Sequence, residues 1–382
     1  MKGFKNVKAF IDGEFKNISV GFIDDQIKYV GDDESVITEE IKIDGILCPG
    51  FIDQHIHGAD GVDFMEGDID RLHKMSKCLV KEGVTSFAPT TVTFDVEQTI
   101  NSVKVAKQFS LKSCTDSAKV IGVHLEGPFI DFSKKGAQNP NYIIAPDIDV
   151  VDKVLDAGDG IVKIISLAPE VAGMEGFIKH LVDRGITISA GHTNASYSQF
   201  KSGVEWGITC ATHTFNAMSA FNHRDIGVAG GSMVLDVYNE IIPDGVHVSF
   251  DAIKILATLK QNKLILITDS LSPKGMSFST KNYETDLGGL KVIVDDTAIR
   301  LESGTLAGSI LTMNRAVKNM VNSVGLPVEV AIKSATENPA KNLKVFDKVG
   351  SITVGKKADF VVLDSDFNVN MTIVDGKIVY LA

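Results

Sequence analysis

The sequence predicts an α/β fold, a (β/α)8 TIM barrel, joined to a small β-sandwich domain that the N- and C-terminal segments form together. Three observations lead to this fold class. The chain has 382 residues, its middle alternates apolar strand-like runs with helical patterns, and both ends are rich in β-type residues. Such alternation is typical of a parallel sheet, and a barrel needs only roughly 250 residues. The remaining length suffices for a second, smaller domain.

Eight strand-like runs supply the barrel. Between most of them lie helical patterns such as DIDRLHKMSKCLVKEG and MEGFIKHLVDRG, several of which close on a glycine, as helices commonly do. Eight apolar strands that alternate with helices favour a closed parallel barrel. The eight runs are, in chain order, PGFIDQHIHG, TSFAPTTV, KVIGVHLEGPF, VKIISLAPE, GITISAGHT, GITCATHTFNAM, NEIIPDGVHVS and NKLILITDS.

The two ends of the chain predict one β module. NISVGFIDDQIKYVG indicates two strands joined around Asp24–Asp25, and VNMTIVDGKIVYLA indicates two more joined at Asp375–Gly376. The expected domains are residues 1–48 with 346–382 for the sandwich, and residues 49–345 for the barrel, with a polar β insertion near 278–304.

Composition excludes several classes of partner. The net charge of −11 argues against nucleic acid, which normally binds a basic surface. No apolar run approaches the roughly 20 residues that a membrane span needs, and the start lacks the apolar core of a signal peptide. The cysteines are scattered without a CxxC pair, which predicts reduced thiols in a cytoplasmic protein. They are Cys48, Cys78, Cys114 and Cys210.

Polar side chains cluster where five of the predicted strands end. Alternate residues of a strand share a face, so His55 and His57 point the same way. The carboxyl ends of barrel strands meet at one mouth, where barrel enzymes have their active sites. Histidines and carboxylates at the other strand ends would join the pair there. The residues are His55 and His57, His124 and Glu126, His192, His213, and Asp269.

Each of these residues alone has a simpler explanation. A strand-end histidine or aspartate usually caps a helix or bonds backbone, and an HxH pair alone is a weak metal signal. Four of the histidines and the two carboxylates, meeting at one barrel rim, are better explained together, as a metal site; His124 is assigned no catalytic role. Imidazole and carboxylate ligands without a thiolate suit Zn²⁺ or Fe²⁺.

Several motifs in order resemble one family, the N-acetylglucosamine-6-phosphate deacetylases of the amidohydrolase superfamily. The resemblance covers essentially the whole chain, including the terminal β-sandwich. It implies hydrolysis of N-acetyl-D-glucosamine 6-phosphate to D-glucosamine 6-phosphate and acetate in amino-sugar catabolism or recycling. The motifs are PGFIDQHIHG, HLEGPF, AGHT, THTFNAM, PDGVH, TDS and LAGS.

The resemblance also implies a site with two divalent ions per chain, Zn or Fe. His55 and His57 would hold the first ion, and Glu126 would bridge towards the second. Many amidohydrolases bridge with a carboxylated lysine on strand four, but VKIISLAPE has no lysine at its carboxyl end. His192 and His213 would complete the second ion's ligands. Asp269 would lie among the ligands and act as general base and acid.

Substrate contacts are implied in the same way. Phosphate would bind the backbone of Asn216 and Ala217, together with Arg224 and His247. The sugar or acetyl pocket would be lined by Ala137, Leu306, Ala307 and Gly308, with Gln138 in a supporting role. A homodimer is expected, and in relatives the residue corresponding to Arg224 can reach across the dimer interface.

Three alternatives stay open at this point. The enzyme could act on the galactosamine 6-phosphate isomer or on a cyclic amide, although the phosphate motif argues against a cyclic amide. A non-catalytic binding protein with the amidohydrolase fold is the third alternative, and the complete ligand set argues against it.

Overall fold

A computed structural model of the chain describes residues 1–112, 115–276, 283–295 and 298–382. The strands in this part are β1 Lys2–Ile11, β2 Glu14–Ile23, β3 Gln26–Gly31, β4 Glu39–Glu40, β5 Ile46–Pro49, β6 Phe51–Ile56, β7 Gly58–Ala59, β8 Val62–Asp63, β9 Val84–Thr91, β10 Lys119–Val120, β11 Val123–Glu126, β12 Val162–Leu167, β13 Thr187–Ala190, β14 Ile208–Ala211, β15 Tyr238–Ile241, β16 Leu264–Leu266, β17 Tyr283–Leu287, β18 Leu290–Val294, β19 Ile299–Leu301, β20 Leu306–Gly308, β21 Phe360–Leu363, β22 Val369–Val374 and β23 Lys377–Leu381. The helices are α1 Ile69–Leu79, α2 Val96–Ser110, α3 Ile148–Gly158, α4 Met174–Asp183, α5 Tyr197–Trp206, α6 Gly227–Val234, α7 Phe250–Lys260, α8 Met313–Asn322, α9 Val328–Ala335 and α10 Glu337–Asn342.

The predicted barrel is confirmed. Its parallel strands pair in the order β6, β9, β11, β12, β13, β14, β15 and β16, with the short β10 beside β9. Backbone bonds close the top of the barrel, because the amide of Asp269 donates to the His55 carbonyl (2.9 Å) and that of His57 to the Ser270 carbonyl (2.9 Å). The first and eighth strand ends are therefore held side by side.

Local sequence explains the elements that present the site. All residues of β6 and β9 are buried, as expected for strands covered on both faces. Asp68 caps the start of α1 by accepting from the amides of Asp70 and Arg71. The predicted glycine stops are confirmed, since Gly83 and Gly185 adopt left-handed backbone after the helical runs.

The chain termini build a separate, mainly antiparallel sheet. Its order is β23, β22, β21, β5, β1, β2 and β3, with β4 beside β1. The rings of Phe4 and Phe22 pack on Phe360 at centroid distances of 5.6 and 5.8 Å, so residues from both ends share one core. The chain passes from this sheet to the barrel between β5 and β6, which supports the proposed domain boundary near residue 48.

The predicted insertion forms a four-stranded antiparallel sheet, β17 to β20. Residues 277–282 and 296–297 of this region lie outside the described residues, as does Cys114. Cys48, Cys78 and Cys210 are free and buried. No helix in the described ranges is long and apolar enough to cross a membrane.

Candidate active site

Six residues predicted to bind metal come together at the carboxyl ends of the barrel strands. Each is at most 8 % exposed. They lie on or just after β6 (His55, His57), β11 (Glu126), β13 (His192), β14 (His213) and β16 (Asp269).

The nitrogen atoms of the four imidazoles meet in two pairs. His55 Nε2 lies 3.3 Å from His57 Nε2, and His192 Nε2 lies 3.2 Å from His213 Nε2. Glu126 lies between the pairs, with Oε1 3.0 Å from His213 Nε2 and 3.4 Å from His55 Nε2. The carboxylate can therefore serve ions on both sides, since two of the three possible ligand groups among the described residues share it, and the third joins His55, His124 and Glu240.

Hydrogen bonds on the far side of the rings fix the tautomer of three imidazoles. The Nδ1 atoms of His57 and His192 face the carbonyl oxygens of Thr90 (3.1 Å) and Lys134 (3.0 Å), which only accept. His55 Nδ1 faces a Glu240 oxygen at 3.0 Å. Each Nδ1 therefore carries the proton, and each Nε2 lone pair points into the site.

This arrangement fits divalent cations. The Nε2 lone pairs of His55 and His57, directed at one another across 3.3 Å, repel unless a proton or a metal cation lies between them. Burial raises the pKa of the Glu126 carboxyl, but the surrounding imidazoles of His55 and His192 outweigh burial and hold the pKa well below its ordinary value. A carboxylate among imidazoles is a donor set typical of Zn²⁺ and Fe²⁺.

Asp269 lies at the edge of this cluster. Its Oδ1 is 3.1 Å from His57 Nε2 and 3.4 Å from His55 Nε2. Burial raises its pKa, yet the two imidazoles outweigh burial and leave the pKa below the ordinary value. Its carboxylate is therefore ionised and able to accept a proton.

The loops that carry these groups have strained backbone. His192, His213 and Asp269 adopt φ angles of 49°, 29° and 48°, a region that residues other than glycine rarely occupy. Strain of this kind clusters at functional sites, where the surrounding structure enforces it.

A cavity of about 520 Å³ opens over the cluster. Eight of the nine residues predicted to contact substrate line it: Ala137, Gln138, Asn216, Ala217, His247, Leu306, Ala307 and Gly308. Gln138 donates to Glu126 Oε2 (2.5 Å) and accepts from the amide of Thr93 (2.6 Å), so it orients the shared carboxylate. The ninth, Arg224, is exposed and does not line the cavity in the described part of the chain.

Sequence reasoning missed two kinds of residue here. Arg300 and Lys134 line the cavity, but no motif marks them in the sequence. Glu240 accepts a hydrogen bond from His55 Nδ1. The only sequence feature that could have marked it is the position of an acidic residue inside the apolar run NEIIPDGVHVS. His124, left without a catalytic role, lies buried against Ser166 Oγ (2.7 Å), and burial lowers its pKa to about 3.

Comparison with known proteins adds to this geometry. A model of the amidohydrolase family matches residues 46–379. An N-acetylglucosamine-6-phosphate deacetylase from Lysinibacillus sphaericus is 38 % identical over 87 % of this chain and 85 % of its own length. The Bacillus subtilis (strain 168) protein of that name is 37 % identical, over 99 % and 97 %. An N-acetylgalactosamine-6-phosphate deacetylase from Escherichia coli O157:H7 is 31 % identical, over 94 % and 96 %.

Solved structures agree over the full length. The N-acetylglucosamine-6-phosphate deacetylase from Pasteurella multocida superposes with a TM-score of 0.92 at 32 % identity, covering 99 % of both chains. A mutant of the Mycobacterium smegmatis enzyme in complex with N-acetyl-D-glucosamine-6-phosphate gives 0.89 at 29 % identity, covering 100 % of this chain and 99 % of the other. The chain therefore belongs to the amidohydrolase family, and within it its similarity to N-acetylglucosamine-6-phosphate deacetylases extends over its whole length.

Proposed function

We propose that this protein hydrolyses the acetamide of N-acetyl-D-glucosamine 6-phosphate to give D-glucosamine 6-phosphate and acetate. The observation that carries the proposal is the convergence of four inward-facing Nε2 atoms and two carboxylates beneath a cavity of sugar-phosphate size. Full-length relatives that bear this activity in their names support it.

Two divalent ions, Zn or Fe, would occupy the site. His55 and His57 would hold one ion, His192 and His213 the other, and Glu126 would contact both. When bound, such ions lower the pKa of water towards about 7 and polarise a carbonyl.

Asp269 would move the proton. Its ionised carboxylate accepts a proton from the attacking water as the carbon–oxygen bond forms. It then returns this proton to the acetamide nitrogen as the carbon–nitrogen bond breaks, because the unprotonated nitrogen is a poor leaving group. Gln138 keeps the Glu126 carboxylate in place during both steps through its bond to Oε2.

The sugar phosphate would lie across the cavity. Asn216, Ala217 and His247 would bind the phosphate, and Asp244 Oδ2 orients His247 by accepting from its Nδ1 at 2.6 Å. Ala137 and the Leu306–Gly308 backbone would contact the acetyl group or the sugar. Arg224 would add a guanidinium, which can bind phosphate through two parallel hydrogen bonds.

A cytoplasmic homodimer is part of the proposal. Arg224 is exposed and outside the cavity of its own chain, which supports delivery of this side chain to the site of a partner subunit. Closed two-fold dimers are the commonest homo-oligomers.

The galactosamine 6-phosphate isomer is the second candidate substrate, because one relative at 31 % identity bears that activity in its name. The test is kcat/KM for acetate release from both sugar phosphates with the same metal-loaded protein. The proposal expects the gluco isomer to be preferred. A preference for the galacto isomer would reassign the substrate, and no release from either would refute the deacetylase assignment.

A further inference from the structure

Glu240 is a buried carboxylate beneath the metal site to which the proposed mechanism gives no role. It lies on β15, the seventh barrel strand, and is fully buried. Its Oε2 lies 3.0 Å from His55 Nδ1 and accepts from the amide of His213 at 3.3 Å. Its Oε1 accepts from Gln54 Nε2 at 2.6 Å.

These contacts distinguish His55 from the other imidazoles of the site. The Nδ1 atoms of His57 and His192 face neutral backbone carbonyls. His213 Nδ1 has no hydrogen-bond partner among the described residues. Within that set, His55 alone has a carboxylate behind it, so the two halves of the site are supported unequally.

A carboxylate behind an imidazole changes what the ring can bind. It keeps the proton on Nδ1, holds the ring at one angle and makes Nε2 a stronger electron donor. A neutral carbonyl fixes the tautomer but adds no charge. The ion held by His55 and His57 therefore gains a contribution that the other ion lacks.

The position of Glu240 is itself well defined. Gln54 Oε1 accepts from Asn342 Nδ2 at 3.2 Å, so the amide that donates to Glu240 is fixed on its other side. Burying a carboxylate without partners is costly, and three donors surround this one. Such a fully satisfied buried network restricts the carboxylate to one orientation.

We propose that Glu240 is a positioning residue that secures the ion bound by His55 and His57, so that the two-ion state depends on this carboxylate. The inference rests on the proposed two-ion function. It concerns selective support of one ion, because Glu240 bonds the imidazole ring of His55, whereas on the side of the other ion it bonds only the backbone amide of His213 and neither the His192 nor the His213 ring.

The test measures metal binding without catalysis. Metal-free protein is titrated with Zn²⁺ against a chromophoric chelator, and the Co²⁺-loaded forms are compared by their visible absorption. The variants are Glu240→Met, which removes the acceptor, and Glu240→Gln, which keeps an acceptor oxygen but loses the charge. His55→Gln defines the one-ion state. Ser189→Ala is the matched buried control, since Ser189 bonds Thr212 Oγ1 and none of the proposed ligands.

The expected result is a loss of affinity for one of the two ions only. Glu240→Met weakens one of two Zn²⁺ binding events by about 10–100-fold and leaves the other unchanged, and Glu240→Gln recovers part of the loss. The one-ion Co²⁺ spectrum of Glu240→Met should match that of His55→Gln, while Ser189→Ala binds as the wild type does.

Two outcomes for the variants would overturn the inference. Wild-type affinity for both ions in Glu240→Met would show that the carboxylate is dispensable. Equal weakening of both binding events would assign it a general structural role. A wild-type protein that binds fewer than two ions would instead refute the two-ion proposal, and the inference with it, before any variant is compared.

Discussion

The Nε2 atoms of four imidazoles face one another in the site, and the fold brings these rings together from the ends of three different strands. The hydrogen bonds to Thr90, Lys134 and Glu240 hold the rings of His57, His192 and His55 in place, so binding of the proposed ions would require no rearrangement of these three rings. At the scale of single residues, the orientation of the predicted ligands thus depends on the hydrogen-bond acceptors that face their Nδ1 atoms.

Asp269 provides the first residue-scale prediction. Asp269→Asn should reduce kcat by on the order of 10²–10⁴-fold, because the amide cannot accept the proton from water. Metal content should stay at the wild-type value, since asparagine keeps an oxygen at the position of the predicted ligand and the imidazoles and Glu126 are unchanged. Acetate release and metal analysis on one preparation check both statements. A variant with wild-type turnover would remove Asp269 from the mechanism.

The β insertion contacts the loop that follows the eighth barrel strand, β16. Gly308 ends β20 with a φ of 149°, and its neighbour Ser309 donates its amide to the Asp269 carbonyl at 2.9 Å. A Cβ at Gly308 would lie 2.9 Å from that carbonyl oxygen and 2.8 Å from Leu271 Cγ. The insertion therefore packs so closely against the loop that carries Asp269 that a side chain at position 308 would displace one of them.

Gly308→Ala should shift Asp269 and lower kcat at least 10-fold, because small displacements of a positioned group are costly in catalysis. Gly304→Ala is the matched control. Gly304 lies in the same insertion with a φ of 87°, and an added Cβ would have no atom within 4 Å. Steady-state kinetics on both variants check the prediction. Equal activity of the two variants would mean that the contact with Asp269 is unimportant.

A buried ion pair anchors the same loop to the rest of the barrel. Lys274 Nζ lies 3.2 Å from Glu82 Oε2, and that oxygen also accepts from the amide of Met313 at the start of α8. Both side chains are at most 6 % exposed. The pair links the loop after β16 to the segment before β9.

Lys274→Met should lower the free energy of unfolding by about 3–5 kcal/mol, because it leaves the Glu82 carboxylate buried without its cation. The double variant Lys274→Met with Glu82→Leu should recover most of this loss. Lys291→Met, which breaks exposed pairs with Glu284 and Glu302, should lower the free energy of unfolding by at most about 1 kcal/mol. Urea unfolding measures all three. A similar decrease in the free energy of unfolding for Lys274→Met and Lys291→Met would contradict the prediction.

The strands and turns of this chain were predictable from the sequence where a local pattern of apolar or turn-forming residues determines them. Each of the eight barrel strands coincides with one of the eight apolar runs, although β9 and β15 begin one residue before their runs, and both predicted terminal turns join strands. Histidines at strand ends were recognisable because the barrel brings all carboxyl ends to one mouth. Glu240 and its partner His55 are 185 residues apart, and their contact depends on barrel closure. The cavity position of Arg300 likewise depends on how the insertion folds back, which no local pattern encodes.

The whole molecule places most of the predicted substrate residues around one cavity but leaves Arg224 on the surface. In the proposed dimer this guanidinium would serve the neighbouring site. Arg224→Met should then raise KM for the phosphorylated sugar roughly 10–100-fold, as expected for loss of a hydrogen bond to a charged group.

Complementation distinguishes the two possible placements of Arg224. Co-expressed Arg224→Met and Asp269→Asn chains should regain about one quarter of wild-type activity at low substrate, since half of random dimers are mixed and each has one complete site. Each variant alone is the control. If Arg224 serves its own subunit, no mixed dimer has a complete site and no activity returns.

The most direct test of the proposed function combines activity and metal content in one sample. Amine release is measured from N-acetyl-D-glucosamine 6-phosphate and from unphosphorylated N-acetyl-D-glucosamine, and bound metal is determined on the same protein. The account predicts rapid turnover of the phosphorylated sugar alone, with about two divalent ions per chain. Equal rates on both sugars, or full activity with a single ion, would contradict it.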